Sequence, residues 1–454
     1  MIKLKGLAAV AAVLTFVGAP ALKAETLAEA LSSAYNNSGL LEQNRALLRA
    51  ADEGVAQAVA ATLPVINWSL SASRTRVETP ITRTTDSALA RITGDLTLYD
   101  FGVNQLGIDA QKEVVLGTRQ ALRGVEQDVL LRGVQAYMNV RSATEFVQLR
   151  QNNVRLITQE FRAAQDRFEV GEVTRTDVAL AEARLAAARS LLAAAEGDLA
   201  QSGEEYRVAI GNVPSGLRTV SAAPVSRSQN EAKAFAVRNH PAILEAQRTV
   251  TAAELNILRA EAATRPTVSL NGFVSTDNES NTSAQIGVSV GGPIYRGGLI
   301  LSQFRQVQAN RDAARAALHL ITLSVEQQVG NSFAALQVAR ASREASEQQI
   351  SAARVAFEGV REEATLGSRT TLDVLNAEQE LLDAQANRIA AQSDEVIASY
   401  ALLSAMGLLT VDHLNLPVQQ YDPAEYYNLV KGAPTLLSEQ GAALDRVLEA
   451  IGKD

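Results

Sequence analysis

The chain has 454 residues and a formal net charge of −8, with 4% aromatic residues, one tryptophan (Trp68), 11 prolines and no cysteine. So few bulky side chains in so long a chain argue against thick globular cores and suit helices packed side by side at close range. The missing cysteine excludes disulfides and thiolate metal sites, and three scattered histidines (His240, His319, His413) argue against a histidine-rich metal centre.

Residues 1–24 read as a secretory signal peptide: Lys3 and Lys5 form a basic start, Gly6 to Val17 is apolar, and small residues follow from Pro20 to Ala24. Cleavage fits after Ala21 or Ala24, with Ala24 preferred; a retained N-terminal anchor is the alternative. Loss of Lys3, Lys5 and Lys23 moves the formal charge from −8 to −11. An acidic exported protein is a poor candidate for nucleic acid, whose binding rests on phosphate neutralisation. No later run reaches the roughly 18 apolar residues of a spanning helix, so any other membrane crossing falls to strands.

A helical stretch over 26–62 ends near Pro64, and the period then changes to two. Ile66, Trp68, Leu70 and Ala72 alternate with Asn67, Ser69, Ser71 and Ser73. Beyond a polar tip at 78–87, Ala90, Ile92, Leu96 and Leu98 alternate with Arg91, Thr93, Asp95 and Thr97. Alternation over about ten residues marks a strand with one oily and one wet face, so a strand pair is expected over 63–99. The exit "LYDFG" (98–102) leads to a long helix over 103–170, a turn at Gly171 and a returning helix over 172–211.

The same order comes back downstream. Asn239 lies over Asn37, Thr264 over Thr62 and Pro266 over Pro64. A strand pair over 266–295 carries Val268, Leu270, Gly272 and Val274, then Ile286, Val288 and Val290, around the polar tip 276–283. The exit "IYRGG" (294–298) sets Tyr295 on Tyr99 and Gly298 on Gly102; helices over 299–366 and 368–407 follow. The turns match best: "VGEVTRTDVALAEARLAAA" (170–188) and "LGSRTTLDVLNAEQELLDA" (366–384) align Gly171 with Gly367, Thr174 with Thr370, Asp177 with Asp373 and Glu182 with Glu378. Shared heptads would not fix a glycine, a threonine and an aspartate in one register. The chain therefore reads as two structural repeats, 25–224 and 225–411, with a C-terminal segment, 412–454, expected to pack outside the helices.

Lengths support a rod of parallel tracks. Residues 103–169 make a helix of about 100 Å at about 1.5 Å per residue, and 26–62 and 172–210 give about 55 and 58 Å, which end to end match it. The helix after Gly367 repeats every seven residues on two tracks, Leu375–Leu382–Ile389–Val396–Leu403 and Ala377–Ala384–Ala391–Ala398–Ala405. After Gly171 the tracks are Ala179–Ala186–Ala193–Ala200 and Ala181–Ala188–Ala195. Positions two apart lie about 200° apart around a helix, so these are nearly opposite seams, each wanting a neighbour. Seams alone fit a coiled-coil rod as well as a tube. The strands decide: open sheet edges in lipid leave backbone groups unsatisfied. Four strands are too few for a barrel with a passable lumen, so several chains must share one.

These features together resemble the TolC-like outer-membrane efflux proteins over essentially the whole mature length. The resemblance rests on the duplicated helix–hairpin–helix order, the "LYDFG" exit and the paired "VGEVTRTDV" and "LGSRTTLDVLNAE" turns. It implies a mainly α protein with a membrane β-barrel: a homotrimer with a 12-stranded barrel in the outer membrane above a 12-helix coiled-coil tunnel in the periplasm. It also implies an exit duct for efflux or type I secretion, opened when a periplasmic adaptor, itself bound to an inner-membrane transporter, docks at the turns containing Gly171 and Gly367.

The resemblance assigns residue roles too. Thr176 and Asp177 match positions that pair with an arginine, matched by Arg369, as a latch between helices; exposed ion pairs are individually weak and can yield to a partner. Asp373 matches the first of two acids ringing the narrowest point, and the second position is Asn376, so one of two acidic rings is kept. A tyrosine common near the turn is replaced by Ala364. A looser gate with weaker cation selection is expected. Three Asp373 carboxylates at a pore axis should repel and raise one another's pKa; as first-turn helix acids, Asp177 and Asp373 also simply suit the helix dipole. No nucleophile–base pair, metal spacing or phosphate loop points to an enzyme, and no cofactor is implied; "GGPIYRGG" (291–298) lacks dinucleotide spacing. A periplasmic coiled-coil tether with small β tips is the competing reading.

Overall fold

The computed structural model describes residues 24–78, 80, 82–434 and 438–451; the expected signal peptide, apart from Ala24, lies outside the described residues. Instead of one helix over 26–62 there are two, α1 (Leu27–Asn37) and α2 (Gly39–Ala60). Ser38 takes extended backbone angles, and its hydroxyl accepts a hydrogen bond from the Leu41 amide at 3.2 Å, capping α2. The second copy breaks alike into α5 (Gln229–Asn239) and α6 (Pro241–Ala262) at His240, which is extended, as the following Pro241 at the first helical position favours.

The strands are β1 (Val65–Val77), β2 (Arg83–Tyr99), β3 (Thr267–Asp277) and β4 (Thr282–Gly291). They form one antiparallel sheet in the order β1-β2-β3-β4, so the hairpins of the two copies are joined by β2–β3 pairing. Arg83 to Ser87, expected in the first polar tip, instead continue the ladder opposite Val77 to Ser73. Register sets Trp68 beside Ile92, Ile92 beside Val274, and Leu270 beside Val288, making one apolar face across the sheet. That face is bare: Trp68 is 81% and Ile286 77% exposed. On the other face Asn271 donates to Asp95 (2.8 Å) and accepts from Ser289 (2.7 Å), and the Arg91 guanidinium lies 4.3 Å over the Phe273 ring.

Below the sheet run α3 (Val103–Glu169) and α7 (Leu299–Thr365), each 67 residues, or about 100 Å. Both begin after a glycine in the left-handed region, Gly102 (φ +89°) and Gly298 (φ +84°). Returning helices α4 (Arg175–Ile210) and α8 (Thr371–Ala405) pack along them. Each return stacks end to end on a broken upper helix: Asn37 donates to the Ile210 carbonyl at 3.1 Å, and Gly407 abuts His240 and Pro241. The main core sits at that mid-height joint, where the Tyr137 hydroxyl shares its one proton between the carbonyls of Glu25 and Arg218, both at 2.9 Å. Among the described residues no helix is long and apolar enough to cross a membrane, and no cluster of three or more metal-ligating side chains occurs.

Three short helices complete the chain: α9 (Val411–Leu414), α10 (Glu425–Val430) and α11 (Glu439–Ile451). The stretch holding α10 straps α2: Tyr426 donates to Glu53 at 2.6 Å, Tyr421 stacks on Arg45, and Tyr427 lies under the Arg119 guanidinium.

Candidate functional site

The duplicated turns stand at the end of the helices farthest from the sheet, one in each copy. Each is built by the same local chemistry. After α3, the Gly171 amide donates to the Phe168 carbonyl (3.0 Å) and the Glu172 amide to the Arg167 carbonyl (2.9 Å). After α7, Gly367 donates to Ala364 (3.1 Å) and Ser368 to Glu363 (3.0 Å). These paired bonds close a helix around a left-handed residue, and both glycines have φ +79°. A side chain at either would be strained, although nothing crowds the space.

Three residues on, each return begins with a reciprocal cap. The Thr174 hydroxyl accepts from the Asp177 amide (3.3 Å), while the Asp177 carboxylate takes bonds from the Thr174 amide (2.9 Å) and hydroxyl (2.7 Å). Thr370 and Asp373 repeat this at 3.3, 2.9 and 2.8 Å. These bonds hold both carboxyls below the usual carboxylate range: the Thr174 hydroxyl and then its amide at Asp177, the Thr370 amide and then its hydroxyl at Asp373. The upward shift expected at Asp373 needs carboxylates from other copies. Within one chain the cap sets its pKa.

Arg369 bonds Glu363 at 2.8 Å across its own turn, which raises its pKa, and it does not reach Thr176 or Asp177 within the chain. Thr176 is exposed beside its cap. Asn376 accepts from Arg184 of α4 at 3.3 Å, joining the two returning helices. A pairing missed from sequence lies just above: Asn153 of α3 donates to buried Glu378 of α8 at 3.0 Å. The match of Glu378 to Glu182 was the only signal, and it said nothing of Asn153, 225 residues away.

The sequence matches the family described as Outer membrane efflux protein over residues 30–212 and 235–408. It is 38% identical to the outer membrane efflux protein BepC of Brucella suis over 425 residues, covering 92% of this chain and 93% of that one. It is 28% identical to the outer membrane protein TolC of Vibrio cholerae, covering 86% and 92%. The fold is similar to the CmeC outer membrane channel of Campylobacter jejuni, with a TM-score of 0.76, 15% identity and 90% of each chain covered.

Proposed function

The chain belongs to the outer membrane efflux protein family and is an outer-membrane channel of efflux or secretion, and on that premise we propose how its parts make the duct. Three copies close their four-stranded sheets into one 12-stranded barrel, the bare apolar face toward lipid and the polar face toward the lumen. The observation that carries this is the sheet itself: an apolar face bare to solvent, and two open edges, β1 and β4, whose backbone groups lipid cannot hydrogen-bond until neighbours pair them. A periplasmic tether would leave that face in water.

The helices continue the closure as a 12-helix tunnel. Within a chain α8 packs on both α7 and α3, with Val396 and Leu403 in one core with Val129 and Leu130. The equivalent seam of α4, Ala179, Ala186, Ala193 and Ala200, is exposed, and in the ring it meets α7 of the next copy. Six turns then gather at one periplasmic mouth. Asp373 and Asn376 line its constriction; Thr176, Asp177 and Arg369 form a latch between copies; the turns at Gly171 and Gly367 receive a periplasmic adaptor linked to an inner-membrane transporter. The two repeats, 25–224 and 225–411, are the walls, and 412–454 lies outside. Nothing in the duct performs catalysis: it conducts, and energy comes from the transporter.

Planar-bilayer recording of the detergent-purified protein tests this reading. Discrete single-channel steps are expected, and Asp373→Ala should alter unit conductance or cation block while the trimer survives. Unchanged permeation would remove Asp373 from the constriction, and absence of any conductance would overturn the duct.

A further inference from the structure

Glu378 is only 4% exposed, seven residues past Thr371 at the start of α8. One carboxyl oxygen accepts from Asn153; the other, Oε2, is buried with no hydrogen-bond partner among the described residues. Asn153 and Glu160 face it from α3, and Arg361 faces it from α7. On its own helix Asp373 is folded into the Thr370 cap, and Asn376 is held by Arg184 of α4. An ionised carboxylate here is desolvated and repelled by Glu160, with Arg361 and one amide to offset it; a neutral carboxyl needs no counter-charge. The contact joins the α3–α4 pair to the α7–α8 pair close to the turns, so the two pairs cannot part there without breaking it.

We propose that Glu378 is a positioning residue for the entrance: its protonated carboxyl, hydrogen-bonded to Asn153, pins α8 against α3 and holds Asp373 and Asn376 at the constriction, and its ionisation loosens the mouth. The proposal rests on the entrance reading above. Burial, reinforced by Glu160, pushes the Glu378 carboxyl up to about 7. The packed arrangement therefore keeps the proton at higher pH than an opened, hydrated one. Its advantage is full below the ordinary glutamate value of about 4.3 and is lost as pH rises through about 7. The duplication extends the device: Glu182, which matches Glu378, is exposed in a single chain, and Gln349 of α7 matches Asn153. Ring closure then makes the same carboxyl–amide pair between copies.

The test is planar-bilayer conductance from about pH 5 to about pH 9 for the wild type, Glu378→Gln and Asp373→Asn. The wild type should open progressively more readily, severalfold or more, as pH rises from about 5 to about 7 and then level off, while Glu378→Gln, which keeps the hydrogen bond and cannot titrate, stays near its low-pH level throughout. The chain has no cysteine, so Asn153→Cys with Glu378→Cys creates a single cross-link that should hold the low-conductance state until reduced. A Glu378→Gln channel that opens with pH as the wild type does would overturn the proposal. So would a pH step lost only in Asp373→Asn, which leaves the entrance reading standing. If the cross-link and Asp373→Asn both leave conductance untouched, the entrance reading itself fails and the proposal with it.

Discussion

Leu382 of α8 and Ala186 of α4 occupy the same place in the duplicated plan, yet Leu382 is buried and Ala186 is exposed. The upper level shows the same divergence. In the second copy Glu254 of α6 pairs with Arg315 of α7 at 2.6 Å. In the first, the matching Asp52 is fully buried with both oxygens unpartnered, and the matching Arg119 lies over the ring of Tyr427 in the C-terminal strap. Residues that match between the two halves have different neighbours. The second half is closed by the chain's own helices, whereas the first leaves the α4 seam exposed while its upper helix is closed by the strap. The bare surfaces are the ones that the proposed trimer would cover.

Perturbing matched pairs should sharpen this contrast. The largest effect is expected at Leu382→Ala, which removes buried side-chain volume and should cost about 2–5 kcal/mol of unfolding free energy in denaturant titration. On the bare seam, Ala186→Asp should leave unfolding of the single chain within about 0.5 kcal/mol while abolishing assembly, read by size-exclusion chromatography. Loss of chain stability at Ala186 would mean that its seam is not free.

The strap gives a pH-dependent contrast. Burial holds the Asp52 carboxyl up at about 6, so its packing favours the protonated form and weakens as pH rises from about 4 through about 6. Asp52→Asn should therefore protect residues 421–430 from hydrogen exchange at about pH 8, by at most about 3 kcal/mol, and change little at about pH 4. Glu254→Gln, at a half-exposed ion pair, should show no comparable gain.

The turns should behave alike. Gly171→Ala and Gly367→Ala each place a side chain at φ +79° and should cost about 1–2 kcal/mol. Thr174→Ala and Thr370→Ala each remove a cap, worth about 1 kcal/mol of helix-start stability. Unequal costs within either pair would show that one turn has contacts beyond its own loop.

What the sequence made legible follows the range of the interactions. The turn glycines, the first-turn aspartates and the strand alternation are local, so residues 170–177 and 366–373 could be read as turns from their spacing, although the threonine–aspartate caps were not. The helix breaks at Ser38 and His240 were local too, but an apolar pattern running through both masked a capping serine and a proline at the first helical position. Cross-repeat contacts left no such trace. Pairing of β2 with β3, Asn153 with Glu378, and the tyrosine strap over Asp52 each join residues far apart in the chain, and two alanine heptads look the same whether the chain or a neighbour covers them.

The central claim is that several copies complete one duct. Native mass spectrometry of the protein extracted by detergent from the outer-membrane fraction tests it most directly. A trimer is the predicted result. A monomer would contradict shared-barrel closure and leave the exposed sheet face and the α4 seam unexplained.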